Sequence, residues 1–130
     1  MERVKKRRGT VATMRLARDE HAAVEARRFA RNWARGHAVP HPIVDDIELV
    51  VSELVTNALR HGEPPIDIEL SKSTDGTIRG EICDGSTATP APNPTPDYRG
   101  GFGLRIVDAR TSRWGCTTQP NGKQVWFEIR

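Results

Sequence analysis

Apolar residues alternate with polar ones in some stretches of this chain and recur every three or four positions in others. Alternation is typical of half-buried strands, and the longer spacing is typical of amphipathic helices. The resulting order is strand, helix, helix, strand, strand, long loop, helix, strand, strand. Because strands and helices do not strictly alternate, a doubly wound parallel sheet is excluded. The pattern predicts an α+β fold, a two-layer α/β sandwich with helices on one face of a mixed, mostly antiparallel sheet.

The boundaries of these elements follow from chain breakers and turn signals. Asp19 is a candidate cap for the first helix, and Gly62 is a candidate left-handed residue at the end of the second. Asp75-Gly76 and Asn121-Gly122 are typical of hairpin turns. The predicted strands are Thr10–Leu16, Ile66–Leu70, Thr77–Asp84, Trp114–Thr118 and Gln124–Ile129, and the predicted helices run from Asp19 to about Gly36, from about Val44 to His61 and from Gly103 to about Ser112.

Length and hydropathy favour a single globular domain. The chain has 130 residues, and no apolar run approaches the ~20 residues that a membrane-spanning helix needs. We therefore expect a cytoplasmic protein with one domain over residues 10–130, preceded by a basic, disordered segment over residues 1–9. The two cysteines, Cys83 and Cys116, lack the paired spacing of a zinc site.

Basic residues are concentrated in two places. Lys5–Arg8 precedes the first predicted strand, and four arginines line part of the first helix. The N-terminal run is more typical of a solvated terminus than of a nucleic-acid-binding arm, because no aromatic residues or reader motif accompany it. The helical arginines fit either solvent or the surface for a protein partner, and the sequence leaves both open. They are Arg27, Arg28, Arg31 and Arg35.

Three polar residues interrupt the apolar pattern of the second helix. Glu53, Asn57 and His61 are spaced by four, so they share one face of the helix. The amide oxygen of Asn57 suits Mg²⁺, which takes its other ligands from water and phosphates. The carboxylate of Glu53 can act as a general base near a terminal phosphate, and His61 can reach a phosphate. A solvated helix face is the alternative, although asparagine is unfavourable inside a helix.

Two glycine-containing segments follow this helix. Asp84-Gly85 ends the third strand, where the carboxylate can accept a hydrogen bond from the exocyclic amine of adenine and the glycine lets the base approach. Taken alone, Asp-Gly is more often a simple turn. Gly100–Gly103 precedes a helical stretch, so its backbone amides can form a phosphate site at a helix N-terminus. Together with the Glu53–His61 face, these segments predict a site for ATP and Mg²⁺.

The segment from Ser86 to Phe102 is unusually long for a connection in a small domain. Its prolines at alternate positions exclude a helix and a central strand. Loops of this length are typically functional or disordered. The prolines are Pro90, Pro92, Pro94 and Pro96.

The three motifs resemble those of the GHKL superfamily of ATP-binding domains, which includes gyrase, heat-shock chaperones, histidine kinases and mismatch-repair proteins. Glu53–Gly62 resembles the N box of that superfamily, Cys83–Gly85 its first glycine box and Gly101–Leu104 its second. The resemblance extends from about Thr10 to Arg130. It implies the Bergerat fold of histidine-kinase-like ATPases, with Ser86–Phe102 as a lid over ATP. By this resemblance Glu53 is the catalytic base, Asn57 holds Mg²⁺, and the nucleotide contacts come from Asn57, His61, Asp84, Gly85, Gly101, Phe102, Gly103 and Leu104.

Within that superfamily the chain is most similar to the small stand-alone anti-sigma factor serine/threonine kinases of bacteria, many of them actinobacterial. The similarity lies in Glu53–Ala58, in Asp84–Ser86 and in the ending Gly122–Ile129. It implies an ATP- and Mg²⁺-dependent kinase that binds a sigma factor and phosphorylates a serine on an antagonist protein. It implies no direct contact with nucleic acid and no membrane association, and it leaves the oligomeric state, including a homodimer, open.

Three features depart from the pattern of these relatives. Thr87 stands where the first glycine box has a further glycine, Gln124 stands where many relatives have a threonine that helps to hold adenine, and the lid is short and proline-rich. The alternative function is therefore a non-catalytic or weakly ATP-binding module that sequesters a sigma factor or another regulator. The presence of both Glu53 and Asn57 favours the kinase, because a pure binding module needs neither.

Overall fold

The computed structural model describes residues 8–87 and 101–130, which form five strands and three helices. The strands are β1 (Arg8–Leu16), β2 (Ile66–Ser73), β3 (Ile78–Asp84), β4 (Arg113–Gln119) and β5 (Gly122–Ile129), and the helices are α1 (Ala22–Gly36), α2 (His41–His61) and α3 (Gly101–Arg110).

The five strands form one sheet in the order β1-β2-β3-β5-β4. Each pair of neighbouring strands is antiparallel. The helices α1 and α2 pack on each other, and α2 also contacts β3 and α3. The predicted α+β sandwich is confirmed, and its sheet is wholly antiparallel within the described residues.

The hydrophobic core lies between the sheet and the helices. Strand alternation directs Ile66, Ile68 and Leu70 of β2 towards the helices, together with Ile82 of β3. The apolar stripe of α1 packs against the same layer. The helical residues in this core are Ala22, Ala26, Ala30, Trp33, Ala34, Val44, Ile47, Val50, Val51, Leu54, Val55, Ala58 and Val107.

The opposite face of the sheet carries a cluster of ion pairs around Trp126. Glu128 accepts hydrogen bonds from Arg79 (2.9 Å) and from Arg113 (2.8 Å). Both guanidinium groups also lie over the Trp126 ring, 4.7 and 5.5 Å from its centre. The hydrogen bond from Arg113, reinforced by Arg79, lowers the pKa of Glu128 below its usual value. The cluster covers the part of the sheet that no described helix covers.

Two of the four helical arginines fasten α1 to α2. Arg27 donates to the hydroxyl of Ser52 (3.3 Å), and Arg31 forms ion pairs with Asp45 and Glu48 of α2. The other two arginines, Arg28 and Arg35, are exposed. The arginine-rich face is therefore divided between a helix–helix contact and solvent.

Several boundaries differ from the sequence prediction. Asp19 is not the cap of α1, because its carboxylate accepts a hydrogen bond from the backbone of His21 (2.8 Å) in the turn before the helix. The second helix begins at His41, because its first turn accommodates Pro42, which needs no N–H partner there. The third helix already includes Gly101 and Phe102, two residues predicted to lie in the loop.

None of the helices in residues 8–87 and 101–130 is both long and apolar enough to cross a membrane. The proposed basic segment lies mostly outside the described residues, since the structure describes only Arg8 of the Lys5–Arg8 run, as the first residue of β1. The boundary between residues 1–9 and the domain stays a prediction.

Gly80 of β3 faces the core and packs closely against Phe127. An alanine at this position is therefore expected to destabilise the protein. Its strand partners are Leu70 and Phe127, and a Cβ at this position would overlap the Phe127 ring. We expect Gly80→Ala to lower the free energy of unfolding by about 1–3 kcal/mol, as overpacking does. Urea denaturation measures the change.

Gly36 provides the matched control for this substitution. It is the last residue of α1, and a Cβ there would meet no atom within 4 Å. Gly36→Ala should leave the stability unchanged or slightly raised. Equal denaturation midpoints for the two variants would show that Phe127 moves aside at no cost.

Candidate functional site

The polar face of α2 presents Glu53 and Asn57 one helical turn apart, as the spacing predicts. Both side chains are half-buried, whereas His61, the last residue of the helix, is exposed. Within the part of the chain that the structure describes, neither Glu53 nor Asn57 forms a side-chain hydrogen bond or ion pair. A half-buried carboxylate and amide with free hydrogen-bonding capacity are suited to a ligand.

The helix α3 packs against α2. Arg110, the last residue of α3, donates to Asp46 near the beginning of α2 (3.0 Å). At about 1.5 Å per residue, the nine steps from Arg110 back to Gly101 span roughly 14 Å along α2. An antiparallel course of α3 along α2 would place the first turn of α3, whose N–H groups have no partner within the helix, near the level of residues 53–57.

Asp84, at the end of β3, is a buried and fully oriented carboxylate. Its side chain is 2% exposed. One oxygen, Oδ1, accepts a hydrogen bond from the backbone N–H of Ser86 (2.8 Å). The other, Oδ2, lies 3.4 Å from Nζ of Lys123, whose side chain is 11% exposed. A carboxylate held in this way presents a fixed acceptor at the end of the strand.

Gly62 ends α2, but its conformation differs from the prediction. Its φ of −99° and ψ of −175° are extended rather than left-handed. The glycine is required for space, because a Cβ there would lie 2.6 Å from the carboxyl group of Asp84. Arg18 replaces the expected cap by donating to the carbonyls of Leu59 (2.8 Å) and Gly62 (3.3 Å).

Two further glycines bring backbone close to the Asp84 segment. The N–H of Gly85 donates to the carbonyl of Glu63 (2.6 Å), and a Cβ on Gly85 would lie 2.5 Å from the carbonyl oxygen of Pro64. Gly122, at the start of β5, has a φ of +159°, and a Cβ there would overlap the carbonyl oxygen of Asp84. Because these positions carry no Cβ, the connection that follows α2 and the β4–β5 turn can both pack closely against the Asp84–Gly85 segment.

Lys123, not Gln124, is the residue of β5 that shares a sheet face with Asp84. Lys123 is the direct strand partner of Asp84, whereas Gln124 is the partner of Cys83. Because successive side chains alternate, Gln124 lies on the face that carries Trp126. The expectation that Gln124 stands where relatives have an adenine-holding threonine stays a prediction, and Lys123, which sequence reasoning did not single out, is the residue that shares a face with Asp84.

A cavity of about 350 Å³ lies behind this segment. Its lining includes Asp67 and Cys83, which point away from the helices, and the β4–β5 turn at Asn121. Burial is the main reason that the pKa of Cys83 is raised to about 11, so its thiol is protonated and a poor nucleophile. Asp84 and Gly85 also line this cavity, whereas Glu53 and Asn57 do not.

Part of the predicted site lies outside the described residues. Residues 88–100 hold most of the expected lid and Gly100, and the side chains of residues 101–103 are likewise not described. Leu104 is half-buried in α3, and Thr87 is exposed. Among the described residues, no cluster of three or more histidine, cysteine or acidic side chains could hold a metal ion. A single amide ligand with phosphate oxygens, as predicted for Mg²⁺ at Asn57, requires no such cluster.

The solved structures that share this fold include the following three. The RsbU and RsbW domains of a Mycobacterium tuberculosis protein match with a TM-score of 0.73 and 21% identity, over 93% of this chain and 32% of that one. SiaB in the SiaB–SiaC complex of Pseudomonas aeruginosa matches with a TM-score of 0.70 and 13% identity, over 97% and 92%. The histidine kinase domain of a blue-light activated kinase from Erythrobacter litoralis matches with a TM-score of 0.59 and 22% identity, over 82% and 63%.

These likenesses concern the fold, because each identity is below 25%, and this chain spans about a third of the first structure. Comparison with curated proteins finds no match. A family model described as the histidine kinase-like ATPase domain, however, matches residues 16–129, nearly the whole chain. The resemblance to the GHKL superfamily is thereby confirmed, and the chain belongs to the histidine kinase-like ATPase domain family.

Proposed function

We propose that this protein is an ATP- and Mg²⁺-dependent regulatory serine/threonine kinase of the anti-sigma factor type. It would bind a sigma factor and phosphorylate an antagonist protein. The observation that carries the proposal is the polar face of α2, where Glu53 and Asn57 are half-buried and have no side-chain partner among the described residues. A helix face with only a structural role does not require two half-buried polar side chains that lack hydrogen-bond partners.

The residues present fit an adenine nucleotide. Asp84 offers a fixed acceptor for the exocyclic amine of adenine, next to three glycines at positions where a Cβ would collide with neighbouring atoms. The N–H groups at the start of α3 would bind phosphate oxygens. Asn57 would hold Mg²⁺ through its amide oxygen. Bound ATP would supply the phosphoryl group, and the metal ion would neutralise charge on the phosphates.

Glu53 is the proposed catalytic residue. It is one turn before Asn57 on the same helix face, and therefore next to the place where the phosphates would lie. In this position its carboxylate would accept the proton from the hydroxyl group of the acceptor serine or threonine. Its half-buried environment would keep bulk water from competing for that proton.

The structural comparisons support a protein as the other substrate. One similar structure is a complex of SiaB with SiaC, and another joins an RsbW domain to an RsbU domain. An acceptor protein would have to reach the α2 face beside the N-terminus of α3. The partner of this chain is therefore proposed to be a small regulatory protein with an exposed serine or threonine.

Incubation with ATP, Mg²⁺ and candidate antagonist proteins, followed by intact-mass measurement, tests the proposal. We expect one antagonist to gain a single phosphoryl group, and we expect removal of Mg²⁺ with a chelator to abolish the gain. Calorimetry with ATP and Mg²⁺ provides the complementary measurement. Heat of binding without any phosphoryl transfer would instead favour the non-catalytic module, and an absence of binding at millimolar ATP would rule out the kinase.

A further inference from the structure

We propose that Lys123 recognises the N1 edge of adenine, so that Asp84 and Lys123 together select adenine over guanine. This inference rests on the proposed binding of ATP and adds a specificity-determining residue to it. The inference is drawn from the cross-strand pair of Asp84 and Lys123, in which a buried carboxylate and a buried ammonium group lie side by side at the end of the sheet.

Lys123 is placed to contact whatever Asp84 contacts. The two residues are directly opposite each other on β3 and β5, so their side chains leave the sheet on the same face. Phe127 and Ile129 of β5 point towards the helices, and alternation puts Lys123 on that same side. The ammonium group therefore lies on the helix side of the sheet, next to the acceptor proposed for adenine.

The ammonium group also has hydrogen-bonding capacity that the described residues do not use. A lysine Nζ carries three donors, yet among the residues that the structure describes its one recorded interaction is the 3.4 Å ion pair with Asp84. Burying a lysine with donors unmatched is costly. A ligand acceptor beside Asp84 would satisfy one of them.

The order of donor and acceptor in this pair matches adenine. The Watson–Crick edge of adenine presents an amine donor next to the N1 acceptor, which complements a carboxylate next to an ammonium group. Guanine presents the reverse order, a carbonyl acceptor next to an N1–H donor. Guanine would therefore face Asp84 with an acceptor and Lys123 with a donor, and a mismatch of this kind at a hydrogen-bonding site is strongly rejected.

The experiment compares ATP with 1-deaza-ATP, in which a C–H group replaces N1. Calorimetry should show that the unaltered protein binds ATP about 10- to 100-fold more tightly than 1-deaza-ATP, as expected for a hydrogen bond from a charged donor. Lys123→Met should bind ATP and 1-deaza-ATP equally. Its discrimination against GTP should also fall.

Lys72→Met is the matched control. Lys72 is a half-buried lysine of β2 whose ammonium group donates to the carbonyl of His37 (2.9 Å), away from Asp84. This variant should keep the full preference for ATP over 1-deaza-ATP. Thermal denaturation of both variants shows whether either loss of binding reflects unfolding.

Two results would overturn the inference without touching the proposed function. If the unaltered protein binds ATP and 1-deaza-ATP equally, N1 has no donor, and this measurement needs no variant. If Lys123→Met weakens both nucleotides by the same factor, Lys123 is merely the counter-ion of Asp84. A protein that binds no ATP at all would instead contradict the proposed function.

Discussion

Replacing Glu53 with glutamine is expected to slow phosphoryl transfer by about 10²- to 10⁴-fold, the usual effect of losing a general base. Glutamine keeps the size and helix propensity of the side chain but cannot accept the proton of the attacking hydroxyl. The affinity for ATP should stay within a few-fold, because the carboxylate acts in the transition state rather than in binding. Single-turnover transfer to the antagonist, with calorimetry for affinity, measures both quantities.

Glu48→Gln is the control for this prediction. Glu48 is also a half-buried glutamate of α2, but its carboxylate pairs with Arg31 of α1. The control should lose a little stability and keep its transfer rate. If Glu53→Gln transfers phosphate at the unaltered rate, Glu53 is a solvated helix residue and another base must serve.

Replacing Asp84 with asparagine is expected to reduce the affinity for ATP by about 100-fold, because the amine of adenine loses a charged acceptor. The amide oxygen can still accept the hydrogen bond from Ser86, so the local turn should persist. The amide NH₂ group would then face two other donors, Lys123 and the adenine amine. The affinity for GTP, which is expected to be weak already in the unaltered protein, should fall much less.

Asp67→Asn is the matched control on the adjacent strand. Asp67 pairs with Arg15 at 2.8 Å on the opposite face of the sheet. Its substitution should leave ATP affinity unchanged. Equal losses for ATP and GTP in Asp84→Asn would mean that Asp84 supports the fold of the pocket and does not contact the base.

The spacing of apolar residues along the sequence was sufficient to predict the two layers of the fold. The apolar stripe of α1 and the alternation in β2 report directly which side of each element is buried, and the structure confirms both. Prediction was weaker at the ends of elements. Gly62 was misinterpreted because a helix-ending glycine usually signals a left-handed residue, whereas here the neighbouring Asp84 leaves no room for a side chain.

The polar residues of α2 were identifiable because helical spacing alone places Glu53 and Asn57 on one face. Lys123 was not identifiable, because its proposed role depends on cross-strand register. A shift of one residue moves every side chain of a strand to the other face, and the turn before β5 determines that register. The sequence interpretation considered Gln124, the neighbouring residue, which the register places on the other face of the sheet.

The register of β3 and β5 has a consequence for altering this protein by mutation. The pair proposed to read the base, Asp84 and Lys123, belongs to two strands of the sheet, whereas the proposed catalytic residue, Glu53, belongs to a helix. Mutations that alter the strand pair leave the helix sequence untouched. Nucleotide preference and the general base can therefore be altered separately by substitution in this protein, so a variant with changed base selection can keep an intact Glu53.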